Sequence, residues 1–162
     1  MMAEKQDWRA IVASSLDWEQ AHAKLENAVK GLAEPLRGQR PAGYPHSPWE
    51  LLEHIRITQR DLLAFCQDPN YEEKLAWPLD YWPPTPAPPT ADAWEKTVAE
   101  YHRDREALAR FATESKIDLT AKIPRGTGQT YLRTILVAVD HASYHVGQIV
   151  SVRRLLGAWP AA

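Results

Sequence analysis

The sequence predicts an all-α protein, a four-helix bundle with a long proline-rich crossover between helices two and three. Three observations carry that prediction. Apolar residues recur at three- and four-residue spacing in four stretches, proline-bearing connections separate those stretches, and helix-capping residues mark several of their ends. At 162 residues the chain fits a single domain, residues 1–162, with length enough for a substantial core.

The first helix is expected from about Ser14 to Leu32, because Trp18, Leu25, Val29 and Leu32 recur at helical spacing. Trp8, Ile11 and Val12 add a further turn before it, and His22 falls on the same stripe. The second start is the most clearly marked. Ser47-Pro48-Trp49-Glu50 places a hydroxyl at the N-cap, proline at the first helical position and glutamate three residues after the cap. That helix is expected to end near Cys66, before Asp68-Pro69. The third runs from about Thr90 to Thr113, with Trp94, Val98, Tyr101 and Leu108 on one face. The fourth begins at Gln129 or Thr130 and ends at Leu156, where Gly157 is a natural C-cap and Pro160 blocks extension.

Six of the 13 prolines lie between Trp77 and Pro89. Extended, polyproline-like backbone over residues 67–89 reaches roughly 60–70 Å, against about 30 Å for a 20-residue helix. This connection can therefore return along the whole bundle and let helices two and three run parallel. Its aromatic residues Trp77, Tyr81 and Trp82 are unusual for a solvated spacer, so the segment is expected to pack against the bundle.

Composition removes several function classes. A formal net charge of −2, with no long basic run, gives no electrostatic reason to expect nucleic acid or an anionic membrane as partner. No apolar stretch approaches the roughly 20 residues of a membrane span. The first residues, MMAEKQDWRAIVASS, lack the basic-then-apolar order of a secretory signal, and the single Cys66 suits a reducing compartment, so a cytoplasmic location is expected.

The chemistry concentrates in histidines. His141 and His145 are four residues apart on the fourth helix; four residues turn about 400°, so both imidazoles point the same way, one turn apart. With six histidines in the chain that spacing alone is a weak signal. The helical wheel strengthens it: Arg133, Asp140, Gly147, Ser151 and Arg154 form one narrow strip, and both histidines lie in the apolar arc away from it. Imidazoles facing a core need partners, and a metal ion is one such partner; acids or water are the other. His54, beside Leu51, Ile55, Thr58, Leu62 and Phe65 on the second helix, offers a third ligand at mid-bundle. Three neutral imidazoles with an open fourth position make a catalytic ligand set, suited to Zn, Ni or Fe. Glu50 and Asp61 lie one turn before His54 and seven residues after it, and are candidates for a base or a partner of a ligand. His22 reads first as a hydrogen-bonded core residue, with a base or fourth ligand as the alternative; His46 and His102 read as loop and surface residues.

Two segments, Ser47-Pro48-Trp49-Glu50-Leu51-Leu52-Glu53-His54-Ile55 and Asp140-His141-Ala142-Ser143-Tyr144-His145-Val146-Gly147-Gln148, together resemble the DinB superfamily of metalloenzymes. The ending Arg153-Arg154-Leu155-Leu156-Gly157-Ala158-Trp159 and the Trp-Pro segment fit it too, so the resemblance covers most of the chain from about Trp18. It implies a four-helix bundle with a long connection between helices two and three. It also implies one metal-ligating histidine on helix two and two on helix four, which fall on His54, His141 and His145. Thiol-dependent transferases and isomerases using bacillithiol, mycothiol or glutathione are among the family's members, and relatives are often dimeric.

The resulting expectation is a divalent-metal-dependent enzyme acting on a small-molecule substrate, transferring a low-molecular-weight thiol to an electrophile, as a homodimer. Metal-assisted hydrolysis is the alternative reaction. A non-catalytic metal-binding stress-response or interaction module, in which the ion only organises the core, is the alternative class. A helical interaction protein without metal is the third.

Overall fold

The computed structural model describes residues 7–160, and among them the chain is helical, with no strand. The six α-helices are α1 (Trp8–Ser15), α2 (Leu25–Val29), α3 (Glu34–Arg37), α4 (Pro48–Gln67), α5 (Ala93–Thr113) and α6 (Tyr131–Leu155). Local sequence explains the bounds of the long ones. The Ser47 hydroxyl accepts from the Glu50 amide at 3.1 Å while the Glu50 carboxylate accepts from the Ser47 amide at 2.8 Å, a complete capping box. Thr130 caps α6 by accepting from the Arg133 amide at 3.2 Å. At the far end Gly157 takes a left-handed φ of 67°, and the Ala158 amide turns back to the Arg153 carbonyl at 2.8 Å.

The expected first helix does not exist as one piece. The turn containing Trp8, Ile11 and Val12 is the real start of α1, residues 16–24 are non-helical, and helix resumes only at Leu25. The cause is tertiary. Leu16 joins one apolar cluster, with Leu63, Leu108, Ala112 and Leu119, whereas Leu25, Ala28 and Val29 join another, with Leu51, Trp94 and Val146. The intervening turn is held by side chains: Trp18 donates to the Ser14 hydroxyl at 3.1 Å, and Asp17 pairs with Arg105 of α5 at 2.8 Å. His22, expected on a core stripe, is therefore exposed in this turn.

Helix directions follow from side-chain pairs. Glu53 accepts from Thr97 at 2.8 Å, Arg56 pairs with Glu100 at 3.4 Å and Arg60 with Asp104 at 3.3 Å, a constant offset of 44 residues, so α4 and α5 run the same way. Between α4 and α6 the order reverses. Leu51, Leu52 and Ile55 share a core with Val146, Ile149 and Val152, while Leu63 shares one with Ile135 and Ala138. Arg153, buried near the end of α6, donates to the carbonyls of Ala28 at 2.7 Å and Lys30 at 3.0 Å and so ties α2 to that end. Of the aromatic residues in the proline-rich connection, Tyr81 is buried and Trp82 half-buried, but Trp77 is 70% exposed. No helix among the described residues is long and apolar enough to cross a membrane.

Candidate metal centre

Midway along the pair α4 and α6, His54 faces His141 and His145. His54 and His145 are buried and His141 is half-buried. One potential ligand atom from each ring lies within 4.8 Å of the others, and the Nε2 atoms of His54 and His141 are 3.0 Å apart. Tetrahedral coordination with metal–nitrogen bonds of about 2.0–2.1 Å puts ligand nitrogens about 3.3 Å apart, so an ion would be accommodated by the His54–His141 pair nearly as it stands and by the wider spacings closing by up to about 1.5 Å.

The far nitrogens decide what the near ones can do. Nδ1 of His54 donates to the backbone carbonyl of Tyr81 at 2.7 Å, and since a carbonyl only accepts, the neutral ring leaves a lone pair on Nε2. Nδ1 of His145 donates to Oε1 of Gln148 at 2.6 Å, and the Gln148 amide in turn donates to the Tyr144 hydroxyl at 3.2 Å. That ring also keeps its Nε2 lone pair. A proton on Nε2 of His141 would satisfy one of these neighbours; a divalent cation would satisfy every inward lone pair together. The donor set therefore fits a metal ion.

Electrostatics agree with that reading. Burial, with the His145 and His54 rings beside it, lowers the His141 pKa to about 3. Burial and His54 lower that of His145 to about 4, against the Gln148 hydrogen bond, and burial also lowers that of His54. All are neutral imidazoles near pH 7, the form that ligates metal.

Aromatic rings wall the centre. Trp82 lies flat on His54, with ring centroids 3.8 Å apart and planes 3° from parallel, and His46 stacks on its other face at 4.0 Å. Tyr144 meets His145 edge-on at 4.9 Å.

The remaining sequence-derived candidates lie elsewhere. Glu50 is held by Arg40, whose Nε donates at 2.8 Å, and by the Ser47 amide. Burial alone would raise its carboxyl, but these donors outweigh burial and keep it below its ordinary value. Asp61 accepts the hydroxyls of Tyr71 at 2.9 Å and Tyr81 at 2.7 Å. The exposed His22 turns Nδ1 to the Ala23 carbonyl at 2.9 Å and lines a cavity of about 180 Å³ with Trp18, Arg105, Ala142 and Ser143. Cys66 is buried, and burial pushes its thiol up to about 12.

Sequence reasoning missed the Tyr81 carbonyl, the Trp82 wall, the stacked His46 and the role of Gln148. Gln148 left a local signal, since it follows His145 by three residues on one helix, within side-chain reach. The aromatic character of Tyr81 and Trp82 signalled packing against the bundle but not His54 as its target. These two and His46 arrive from loops, which carry no periodicity to read.

No functionally curated protein and no solved structure shows a significant match to this sequence. The sequence model of the DinB superfamily matches residues 17–149. That span is 133 residues (149 − 17 + 1) of the 162, takes in all three converging histidines, and places the chain in the DinB superfamily.

Proposed function

We propose that the chain is a divalent-metal-dependent transferase in which His54, His141 and His145 hold one Zn, Ni or Fe ion and a low-molecular-weight thiol is passed to a small electrophile. The observation that carries this reading is the aim of the rings: ligand atoms of three imidazoles within 4.8 Å, two of the rings with their outer nitrogens already donating to carbonyl oxygens. A bound divalent ion supplies positive charge that lowers the pKa of a thiol or water beside it. In the transfer, the thiol sulfur bonds to the electrophilic carbon, the leaving group departs with its electron pair, and the thiol proton passes to solvent.

Thiol chemistry is favoured over hydrolysis by the state of the carboxylates. Glu50 is committed to Arg40 and Ser47, and Asp61 to two tyrosines, so neither is free to take a proton from water. A thiol, with an ordinary pKa of about 8.5, needs the least such help. The chain's own residues orient and wall the centre: Tyr81 and Gln148 hold two rings, and Trp82 shields a face of His54 from water.

The same reading takes α1, α4, α5 and α6 as a four-helix bundle with the proline-rich segment as its crossover, which the shared direction of α4 and α5 supports. It also takes the protein as a cytoplasmic homodimer acting on a small molecule; exposed Leu136, Tyr144 and Leu155 on α6 offer apolar surface to a second copy.

The test is metal content by mass spectrometry on protein purified without chelator, beside a folded His141→Ala/His145→Ala variant. About one ion per chain, lost in the variant, supports the site, and conjugation of bacillithiol, mycothiol or glutathione to a model electrophile by the wild type alone supports the reaction. Equal metal in both proteins, or none in either after Zn, Ni and Fe are offered, would sink the reading.

A further inference from the structure

We infer that Asp61 is a positioning residue for His54, acting through Tyr81 and the strap of residues 71–82. The inference rests on the reading of His54 as a metal ligand and adds a residue whose effect reaches that ligand across another side chain.

The chain of contacts is short and continuous. Asp61 lies seven residues beyond His54 on α4, about two turns along, so both belong to one rigid element. One carboxylate oxygen accepts the Tyr71 hydroxyl at 2.9 Å and the other accepts the Tyr81 hydroxyl at 2.7 Å. Tyr71 and Tyr81 stand near the two ends of the strap, so a single carboxylate pins both. Tyr81 is 8% exposed, and its backbone carbonyl accepts Nδ1–H of His54 at 2.7 Å. The next residue, Trp82, lies against the face of the same ring. The strap thus supplies His54 with the acceptor that selects its tautomer and the plane that selects its orientation, and Asp61 is what fastens the strap at that point.

The tautomer is the consequential part. An imidazole carrying its proton on Nδ1 presents a lone pair from Nε2 toward His141 and His145; with the proton on Nε2 it presents none there. With the Tyr81 hydroxyl unfastened, the carbonyl is free to drift and His54 to exchange tautomers. Loss of an outer partner of a metal-bound histidine typically weakens metal binding 10–100-fold. A carboxylate that merely stapled a loop would lower thermal stability without changing the His54 tautomer.

The experiment uses the full chain with ¹⁵N-labelled histidine. In metal-free wild type, the His54 ring nitrogens should report protonation on Nδ1; in Asp61→Asn and Tyr81→Phe the Nε2-protonated form should grow. Affinity for Zn, by competition with a chromophoric chelator, should fall about 10-fold in each of those variants. It should fall no further in the double variant than in the weaker of the two single variants, because the Asp61–Tyr81 bond is the one that reaches His54 and both changes act on it. Tyr71→Phe, which leaves the Asp61–Tyr81 bond in place, should lose less than Tyr81→Phe. Circular dichroism confirms folding, and if Asp61→Asn fails to fold, Tyr81→Phe, which removes a single oxygen atom, decides alone. Wild-type tautomer and affinity in folded Tyr81→Phe would overturn the inference, as would losses that add in the double variant. Absence of Zn binding by the wild type would instead overturn the metal reading, with the tautomer measurement still deciding whether Asp61 governs His54.

Discussion

Two layers of the contact between α4 and α6 are built on opposite terms. Around Leu63, about 13–14 Å along α4 from His54, Leu108, Ala112, Ile135 and Ala138 form a wholly apolar layer that fills without any outside component. At His54 the same two helices meet through imidazoles, and one turn further the buried Thr58 hydroxyl has no hydrogen-bond partner among the described residues. Polar groups in such a place oppose folding unless something completes them. The layer is tolerated because apolar clusters on both sides hold the helices in register. Apolar packing and the converging imidazoles are thus assigned to different layers, and each can be broken separately.

The largest separation is expected from His145→Ala. It should remove stoichiometric metal while leaving the melting temperature of the chelated protein near that of wild type; a chelated variant that no longer folds would show that the histidine layer is itself structural. Leu108→Ala is the converse. Its side chain is fully buried, so the substitution should cost about 2–5 kcal/mol in urea unfolding. Metal stoichiometry should persist wherever the variant remains folded, and loss of metal from the folded variant would contradict the division.

Acid should reach the histidine layer next. The folded-state values for His141 and His145, about 3 and about 4, lie below the ordinary 6.5, so the unfolded chain takes up protons first as pH falls. The stability of the chelated protein should therefore be complete above pH 6.5 and decline as pH drops from there towards 4, read as a falling urea midpoint. A folded His141→Ala/His145→Ala variant should show a shallower decline, and identical slopes would mean these rings are not buried together. The smallest effect belongs to the N-terminal end of α4. Ser47→Ala removes one half of the capping box and should cost about 1 kcal/mol in thermal or urea unfolding.

Legibility in the sequence tracks how local the cause is. The start of α4 was readable because Ser47, Pro48 and Glu50 act on each other within one turn, and the end of α6 because Gly157 carries its own backbone preference. His141 and His145 were readable as a pair from helical geometry, and His54 joined them because it begins from a well-marked cap. The break at residues 16–24 was not readable, since spacing cannot tell that Leu16 and Leu25 serve different clusters. The same limit hid the fates of Glu50 and Asp61. Their residue types and positions allowed a catalytic role, but their partners, Arg40, Tyr71 and Tyr81, come from loops whose paths no periodicity encodes.

The span between His54 and His141, 87 residues, has a consequence for how the protein is made. At a synthesis rate of roughly 5–20 residues per second, His54 leaves the ribosome's catalytic centre some 4–17 s before His141 is even joined to the chain. Through that interval a nascent chain holds one of the three imidazoles and lacks the helix that carries the other two. A fragment ending before α6 carries only one of the three converging imidazoles, so the three-histidine cluster comes into being only after α6 has been made.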